Sequence, residues 1–168
     1  MTPLKPPHDL PVTFPDFGQW LSFREAIKSQ TATRLELSNV PTPAQYDNMK
    51  RLYQAVYAPL CARFGKLPVS SFFRSYAVNK AVGGSPTSDH VNGRAIDIDC
   101  DGRVDGLTNR VLFNYILHHL SFDQLILEAP DANGNPQWVH IGYRSLRENR
   151  EEVLEMRRIG GKSVYRKL

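Results

Sequence analysis

Two side chains that suit a metal ion lie close together near the middle of the chain. His90 offers a neutral imidazole nitrogen and Asp97 an anionic oxygen, and both groups are ordinary zinc ligands. The pair Asn92-Gly93 predicts a turn between them, and the Ala-Ile-Asp-Ile run at 95–98 predicts a strand. Together the turn and the strand would bring the carboxylate back beside the imidazole, which favours a metal site.

A hydrolytic zinc site needs a third protein ligand and one open position for water. His140, in the apolar run Trp-Val-His-Ile at 138–141, is the best third ligand in the sequence. A zinc ion lowers the pKa of its water to roughly 7, so hydroxide is available at neutral pH. The alternative is that His90 and Asp97 belong to a surface turn and that His140 is a core histidine. The three residues together predict metal-assisted hydrolysis.

The sequence around these residues is similar to a known family. The motifs that carry the similarity are Ser88-x-His90-x-x-Gly93-x-Ala95-x-Asp97 and Trp138-Val139-His140. They resemble the zinc D-Ala-D-Ala carboxypeptidase family, which includes peptidoglycan-cutting endopeptidases of bacteriophages and shares its fold with the hedgehog signalling domain. Further similar segments lie at 72–75, 79–85 and 122–128. The resemblance extends from about Phe23 to Tyr143, and it implies a zinc peptidase of the phage type.

The general base departs from the pattern of that family. Many members carry an acidic residue three positions before the last histidine ligand, but Gln137 stands there and cannot take a proton from water. Glu128 ends a predicted strand and shares a face of it with Ile126. If the hairpin pairs Glu128 with Trp138 and Ile126 with His140, Glu128 reaches the site, whereas a shift of one residue turns it away. We expect Glu128 to be the base; the alternative is a solvated carboxylate at a strand end.

Arg74 and Ser88 are expected to bind the substrate. An arginine holds a carboxylate through two parallel hydrogen bonds, and the resemblance implies that Arg74 and Ser88 help to hold the substrate and polarise its reacting carbonyl. Other interpretations are a salt bridge from Arg74 to Asp89 or Asp99, and a turn in which Ser88 bonds its own backbone. Asp89 and Asp99 are further candidates for orienting the histidine ligands.

A calcium loop is a competing interpretation of the same stretch. The aspartates at 97, 99 and 101 fit the start of an EF-hand loop. Thr108 stands at the twelfth position, where that loop needs a bidentate glutamate, and Ala95-Ile96 predicts a strand where a helix is required. We therefore expect a polar turn, with Thr108 capping the next helix.

Helices and strands are mixed along the chain. Helices are predicted at about 17–28, 44–64 (capped by Thr42 and shortened or kinked near Pro59) and 109–120, with a helical turn at 75–81. Strands are predicted at 69–73, 95–99, 122–128 and 137–143. This order predicts an α+β fold of the hedgehog/DD-peptidase type, in which helices flank a small, mostly antiparallel sheet.

The two ends of the chain have a composition of their own. Residues 1–16 hold five of the twelve prolines and predict an extended arm. Residues 145–168 form a basic, charged tail, in which 145–158 predicts a helix that Gly160-Gly161 ends. A solvated helix is the ordinary interpretation of such a tail, and contact with an anionic wall polymer is the alternative.

Length and composition fit one domain over residues 1–168. No apolar run approaches the roughly 20 residues of a membrane span, and the N-terminus lacks the apolar core of a signal peptide. We therefore expect cytoplasmic synthesis, release to the bacterial cell wall, and no membrane partner. The net charge of +4 suits an anionic partner, but the sequence contains no nucleic-acid motif. Cys61 and Cys100 are expected to be buried free thiols, and the protein a monomer.

These observations predict a zinc-dependent peptidase that hydrolyses peptidoglycan stem peptides, next to D-Ala, as a carboxypeptidase or an endopeptidase. In this interpretation Zn²⁺ is held by His90, Asp97 and His140, and Glu128 moves the proton. The alternative is a non-catalytic, zinc-stabilised module that binds wall peptide or another protein, and Gln137 at the usual base position is its main support.

Overall fold

The structure is a computed structural model, and it describes residues 13–168. Over these residues the chain forms one six-stranded sheet and a set of short helices, in the order β1-β2-β4-β3-β5-β6 across the sheet. All neighbouring strands are antiparallel except β3 and β5, which are parallel. The predicted α+β class with a mostly antiparallel sheet is therefore confirmed.

Six α-helices lie within the described residues. They are α1 (Phe23–Ala26), α2 (Gln30–Arg34), α3 (Pro43–Leu52), α4 (Ala58–Phe64), α5 (Tyr76–Ala81) and α6 (Asn109–His119). The predicted caps are confirmed, since the Thr42 hydroxyl accepts from the backbone of Gln45 and that of Thr108 accepts from the backbone of Val111. A π-helical segment, Tyr53–Tyr57, joins α3 to α4. Ahead of Pro59 the helix thus adjusts its hydrogen bonding and continues.

The strands are β1 (Val69–Ser71), β2 (Ala95–Ile98), β3 (Gln124–Glu128), β4 (Trp138–Gly142), β5 (Glu152–Ile159) and β6 (Lys162–Lys167). Because side chains alternate along each strand, the sheet has two different faces. One face is apolar and lies in the main core with the helices; its central residues are Ile96, Ile98, Leu125, Leu127, Val139 and Ile141. The other face carries Asp97, His140 and Glu128, together with a small apolar group formed by Ile126, Leu154 and Met156. The sheet therefore separates the core from the candidate site.

The predicted helix at 17–28 is mostly wrong. Helix α1 begins only at Phe23, because the side chains and backbones of Ser22 and Glu25 form a reciprocal cap there. Before it, the backbone N–H of Phe17 donates to the carbonyl of Leu21 at 3.1 Å, which closes a turn. The apolar side chains of residues 17–28 still pack against the core, but the backbone that carries them is a turn followed by one turn of helix.

The predicted helix at 145–158 is also wrong. Residues 146–148 form a turn, and from Glu152 onward the chain forms strand β5, which turns at Gly160-Gly161 and returns as β6. Both glycines have a positive φ, of 56° and 77°, as a two-residue hairpin turn of this hand requires. Leu154 and Met156 alternate with the polar residues Glu155 and Arg157, which suits a strand whose one face covers the apolar group on β3.

Residues 1–12 of the predicted N-terminal arm lie outside the described residues. Its remaining part, 13–16, forms no helix or strand, and the Pro15 carbonyl accepts a hydrogen bond of 2.7 Å from Tyr46 Oη. Cys61 and Cys100 are buried free thiols, as predicted. None of the helices within residues 13–168 has both the length and the apolar character needed to cross a bilayer.

Candidate metal centre and substrate cleft

His90 and Asp97 come from a turn and a strand that follow each other directly, as the sequence predicts. His90 lies in a single 3₁₀ turn, Asp89–Asn92, and Gly93 ends it with a left-handed φ of 68°. A Cβ atom at Gly93 would lie 2.5 Å from the carbonyl oxygen of Gln45, so no other residue fits there without moving α3. Glycine thus permits both the turn and the close packing that direct His90 and β2 to the same place.

The register of the sheet places His140 beside Asp97. Asp97 on β2 pairs with His140 on β4, and their side chains lie on one face. Nδ1 of His140 lies 2.8 Å from Asp97 Oδ1, and Nε2 of His90 lies 3.1 Å from Asp97 Oδ2. Ligand atoms of the three residues all lie within 4.8 Å of one another. Zinc bonds of about 2.0–2.2 Å in a tetrahedron separate ligand atoms by roughly 3.4 Å, so the observed spacing fits the ion.

The hydrogen bonding of His90 leaves one nitrogen available for a metal. Nδ1 donates to the Phe72 carbonyl at 2.6 Å, which fixes the proton on that nitrogen. Nε2 is buried and has no hydrogen-bond partner among the described residues, because with the proton on Nδ1 it is an acceptor and cannot donate to the Asp97 carboxylate at 3.1 Å. Burial lowers the pKa of His90, which keeps the ring neutral as a ligand must be. A buried acceptor nitrogen with no partner is what a bound metal would satisfy.

Asp97 and His140 form the charged part of the group. Burial alone would raise the pKa of Asp97, but the neighbouring His90 and His140 lower it well below its usual range. Burial alone would lower the pKa of His140, but the hydrogen bond to Asp97 raises it. The site therefore holds one carboxylate that stays ionised, flanked by two imidazoles whose rings lie 5.1 Å apart at 68°.

Glu128 faces the same cleft. The predicted hairpin register is confirmed, since Glu128 pairs with Trp138 and Ile126 pairs with His140. The Glu128 side chain is buried, and its Oε2 has no partner within the described part of the chain. Burial raises the pKa of its carboxyl to about 7. A carboxyl with such a pKa, beside the three candidate ligands, is well suited to take up and return a proton near neutral pH.

Gln137 does not line the cleft. Its side chain is exposed, and its backbone N–H donates to the Glu128 carbonyl at 2.9 Å. It stands one residue before Trp138, whose ring lines the cleft. On the β3–β4 hairpin, the carboxylate that lines the cleft is thus that of Glu128 on β3.

Arg74 and Ser88 both line the cleft. The backbone N–H of Arg74 donates to the His90 carbonyl at 3.3 Å, which ties the two residues together. Arg74 Nε is buried with no hydrogen-bond partner, while Asp89 pairs with Arg144 and Asp99 with Arg103. Neither of the alternative salt bridges to Arg74 is therefore present among the described residues. Ser88 lines the cleft and precedes the 3₁₀ turn without capping it through its side chain.

The aspartates of the calcium pattern point to different places. Asp97 belongs to the cleft, whereas Asp99 Oδ1 accepts from the side chain of Asn109 at 2.9 Å. Asp101 accepts from the Asn109 backbone at 2.8 Å and from Asn135 at 2.5 Å. Over residues 13–168, His90, Asp97 and His140 form the one group of three or more such side chains close enough to hold a metal. The polar turn capped onto α6 is confirmed.

The cleft has a wall that the sequence did not predict. Its volume is about 820 Å³, and residues of β5 and β6 line it together with the candidate ligands. The lining residues of this hairpin are Leu154, Met156, Arg158, Gly161, Lys162, Ser163 and Tyr165. The signal that could have found them is the Gly160-Gly161 pair, because two glycines between alternating segments are typical of a hairpin.

A buried carboxylate holds the start of this wall. Asp123 is fully buried and accepts from Arg150 Nε at 2.9 Å, from Arg150 Nη2 at 2.6 Å and from Arg144 Nε at 3.1 Å. Burial alone would raise the pKa of Asp123, but these arginines lower it. Since Arg144 and Arg150 precede β5, the network fixes where the hairpin begins.

A comparison with protein families assigns the chain to one of them. Residues 21–129, more than half of the 168-residue chain, match the family described as Peptidase M15. The chain belongs to this family of zinc-dependent metallopeptidases. The match includes Arg74, Ser88, His90, Asp97 and Glu128, whereas His140 and the β5–β6 hairpin lie beyond it. No curated protein matches the chain.

Proposed function

We propose that this protein is a zinc peptidase that hydrolyses peptidoglycan stem peptides next to D-Ala. The observation that carries the proposal is the cluster on one face of the sheet: three converging ligand atoms and a buried carboxyl with a pKa of about 7. Membership of the Peptidase M15 family supports the reaction class. The assignment of the peptidoglycan stem peptide as the substrate rests on the resemblance of the motifs to D-Ala-D-Ala carboxypeptidases.

His90, Asp97 and His140 would hold the zinc ion. When bound, zinc supplies a Lewis acid that polarises a carbonyl and makes water more acidic. Two imidazoles and a single carboxylate suit an ion that also needs an open position, because three ligands leave the fourth for water or substrate. The Phe72 carbonyl orients His90 through its Nδ1–H.

Glu128 would act as the general base and then as the general acid. It takes one proton from the attacking water as the water oxygen bonds to the peptide carbonyl carbon. It returns that proton to the amine nitrogen as the C–N bond breaks. Its burial matters because a carboxyl in this environment binds and releases a proton near neutral pH.

Arg74 and Ser88 would position the peptide. The Arg74 guanidinium offers donors to the terminal carboxylate of a stem peptide, and its unpartnered Nε is one of them. The Ser88 hydroxyl, beside His90, is placed to donate to the carbonyl that is attacked. Together they would hold the scissile bond over Glu128.

The test is hydrolysis of purified peptidoglycan. We expect the zinc-loaded protein to release D-Ala or cleaved stem peptides, and a chelator to stop the release. An absence of turnover by fully zinc-loaded protein on several wall types would contradict the proposal. That outcome would favour the binding module, which Gln137 at the usual base position suggests. Metal analysis alone does not separate the two functions, because both predict zinc.

A further inference from the structure

The β5–β6 hairpin presents a defined row of side chains to the cleft. Glu128 pairs with Met156, and Met156 pairs with Tyr165, so these three residues share the face that carries His140. Arg158 lies two residues after Met156 on that face and pairs with Ser163. Strands lie about 4.8 Å apart and rise about 3.3 Å per residue, which places the Cα of Arg158 roughly 8 Å from that of Glu128. Both Arg158 and Tyr165 line the cleft.

Among the charged residues of the hairpin that the structure describes, Arg158 and Lys162 are the two without an ion pair. Arg157 and Arg166 pair with Glu155 at 2.6 and 3.3 Å, and Lys167 pairs with Glu152 at 3.5 Å. Within residues 13–168 no carboxylate pairs with Arg158, although the charge lies close enough to Glu128 to favour its ionised form. A cation that faces a cleft without a partner is available to an anionic ligand.

Tyr165 completes the donor set. It is a diagonal neighbour of Arg158 across the β5–β6 pair, within reach of long side chains. Partial burial, with a smaller contribution from Glu128, raises the pKa of Tyr165, so its hydroxyl remains a proton donor. Beside these two residues, on the same face of the sheet, lie the buried side chains of Ile126, Leu154 and Met156. Two polar donors next to an apolar surface suit a carboxylate on an otherwise aliphatic chain.

The order of the strands sets this position apart from Arg74. Arg74 follows β1 at one side of the sheet, and the hairpin forms the other side. The candidate ligands on β2 and β4, and Glu128 on β3, lie between them. A peptide that runs across the strands with its terminal carboxylate at Arg74 therefore passes its preceding residues over Glu128 toward Arg158.

We propose that Arg158 and Tyr165 form a second carboxylate-binding position, which selects peptide substrates that carry a carboxylate upstream of the cleaved bond. The inference rests on the proposed function and names the substrate class: peptides with two carboxylates, one for each side of the cleft. Lys162, beside the hairpin turn, adds positive charge to the same rim.

The test uses two synthetic peptides that differ in one group. One is L-Ala-γ-D-Glu-L-Lys-D-Ala-D-Ala, and the other carries a carboxamide in place of the D-Glu α-carboxylate. For zinc-loaded wild type we expect kcat/KM to be about 10-fold higher for the carboxylate peptide, the scale of a hydrogen bond to a charged group. Arg158→Gln should remove the preference, Tyr165→Phe should reduce it, and Arg158→Lys should retain part of it.

The neighbouring residues supply matched controls. Arg157 and Val164 are adjacent to Arg158 and Tyr165 but lie on the opposite face. Arg157→Gln and Val164→Ala should therefore keep the preference. Equal rates for the two peptides in wild type, or an equal loss in Arg157→Gln and Arg158→Gln, would overturn the inference.

Failure of the proposed function gives a different result. In that case wild type hydrolyses neither peptide, and the binding of the same two peptides is then measured by calorimetry. Tighter binding of the carboxylate peptide that disappears in Arg158→Gln would support the second position. Equal binding of both peptides would overturn it.

Discussion

At the scale of single residues, the function of Glu128 depends on what surrounds it. An exposed glutamate at a strand end would be ionised and solvated. Glu128 is instead buried beside Asp97 and His140, and burial raises its pKa to about 7. The same residue type therefore has a different chemistry because the hairpin register turns it toward the cleft.

The sharpest prediction at this scale concerns Glu128→Gln. The substitution preserves the size and shape of the side chain but removes the proton acceptor. We expect kcat for stem-peptide hydrolysis to fall by about 10²-fold or more, the usual scale for general acid–base catalysis. Zinc content and the melting temperature should stay near those of wild type, and all rates are to be compared at equal zinc occupancy.

Gln137→Ala is the matched control for this prediction. Gln137 is exposed outside the cleft, so its truncation should change kcat by much less than the loss of Glu128. If Gln137→Ala abolished hydrolysis while Glu128→Gln remained near wild type, Glu128 would not be the base.

Some residues of the site can be identified from the sequence alone, and others cannot. His90, Asp97 and His140 could be selected because ligand chemistry and spacing act together, and the structure brings the three side chains to one point. Their role as ligands stays a prediction. Arg158 and Tyr165 could not be selected, because an exposed arginine or tyrosine in a charged tail has no distinguishing chemistry until the strand pairing is known.

At the scale of elements, the hairpin β5–β6 shows where local patterns fail. The charged residues at 145–158 fit a solvated helix about as well as a strand. The parallel pairing with β3 decides between them, because it covers Ile126 with Leu154 and Met156. That contact is distant in sequence, so no local pattern contains it. The strands β2, β3 and β4 were predicted because their alternation and turns are local.

The second prediction belongs to the element that anchors this hairpin. Asp123→Asn removes the charge that Arg144 and Arg150 surround, and we expect a loss of about 1.5–3 kcal/mol in the free energy of unfolding at pH 7. The folded-state pKa of Asp123 is lowered, so its contribution is present above the unfolded pKa of about 3.9 and is lost as pH falls through the folded value. The difference between wild type and variant should therefore be constant from pH 7 to about 5 and shrink below pH 4.

Urea unfolding at several pH values measures this difference. Asp105→Asn is the control, because Asp105 is exposed and the same loss of charge there should change stability by less than about 0.5 kcal/mol. A constant difference between Asp123→Asn and wild type down to pH 3 would contradict the assignment of the effect to the ionised carboxylate.

At the scale of the whole molecule, the fold class could be predicted because the order of helices and strands is itself informative. The extent of the sheet could not. The last two strands, β5 and β6, lie in a charged segment whose alternating pattern is hard to recognise. Because these strands line one side of the cleft, that side could not be predicted either.

The third prediction links the metal to global stability. We expect one zinc per chain by elemental analysis, and none in His140→Ala. At a free zinc concentration about 100 times Kd, binding to the folded state alone contributes about 2.7 kcal/mol, which raises the melting temperature of a chain this long by roughly 5–11 °C. His140→Ala should lose this rise, while His119→Ala, an exposed substitution on α6, should keep it. Full zinc in His140→Ala would remove His140 from the ligand set.

The cross-strand alignment of the site residues limits where insertions and deletions can occur. Asp97, His140 and Ile126 lie opposite one another on β2, β4 and β3. Removing one residue within β4 would turn the following part of that strand over, so that an imidazole would point into the core and an isoleucine into the cleft. Such a deletion would damage the ligand set and the core together, whereas an exchange of one ligand damages only the first. Changes in length along this family of chains should therefore fall in the loops, and the 129–137 connection should vary only in ways that return β4 to the same register.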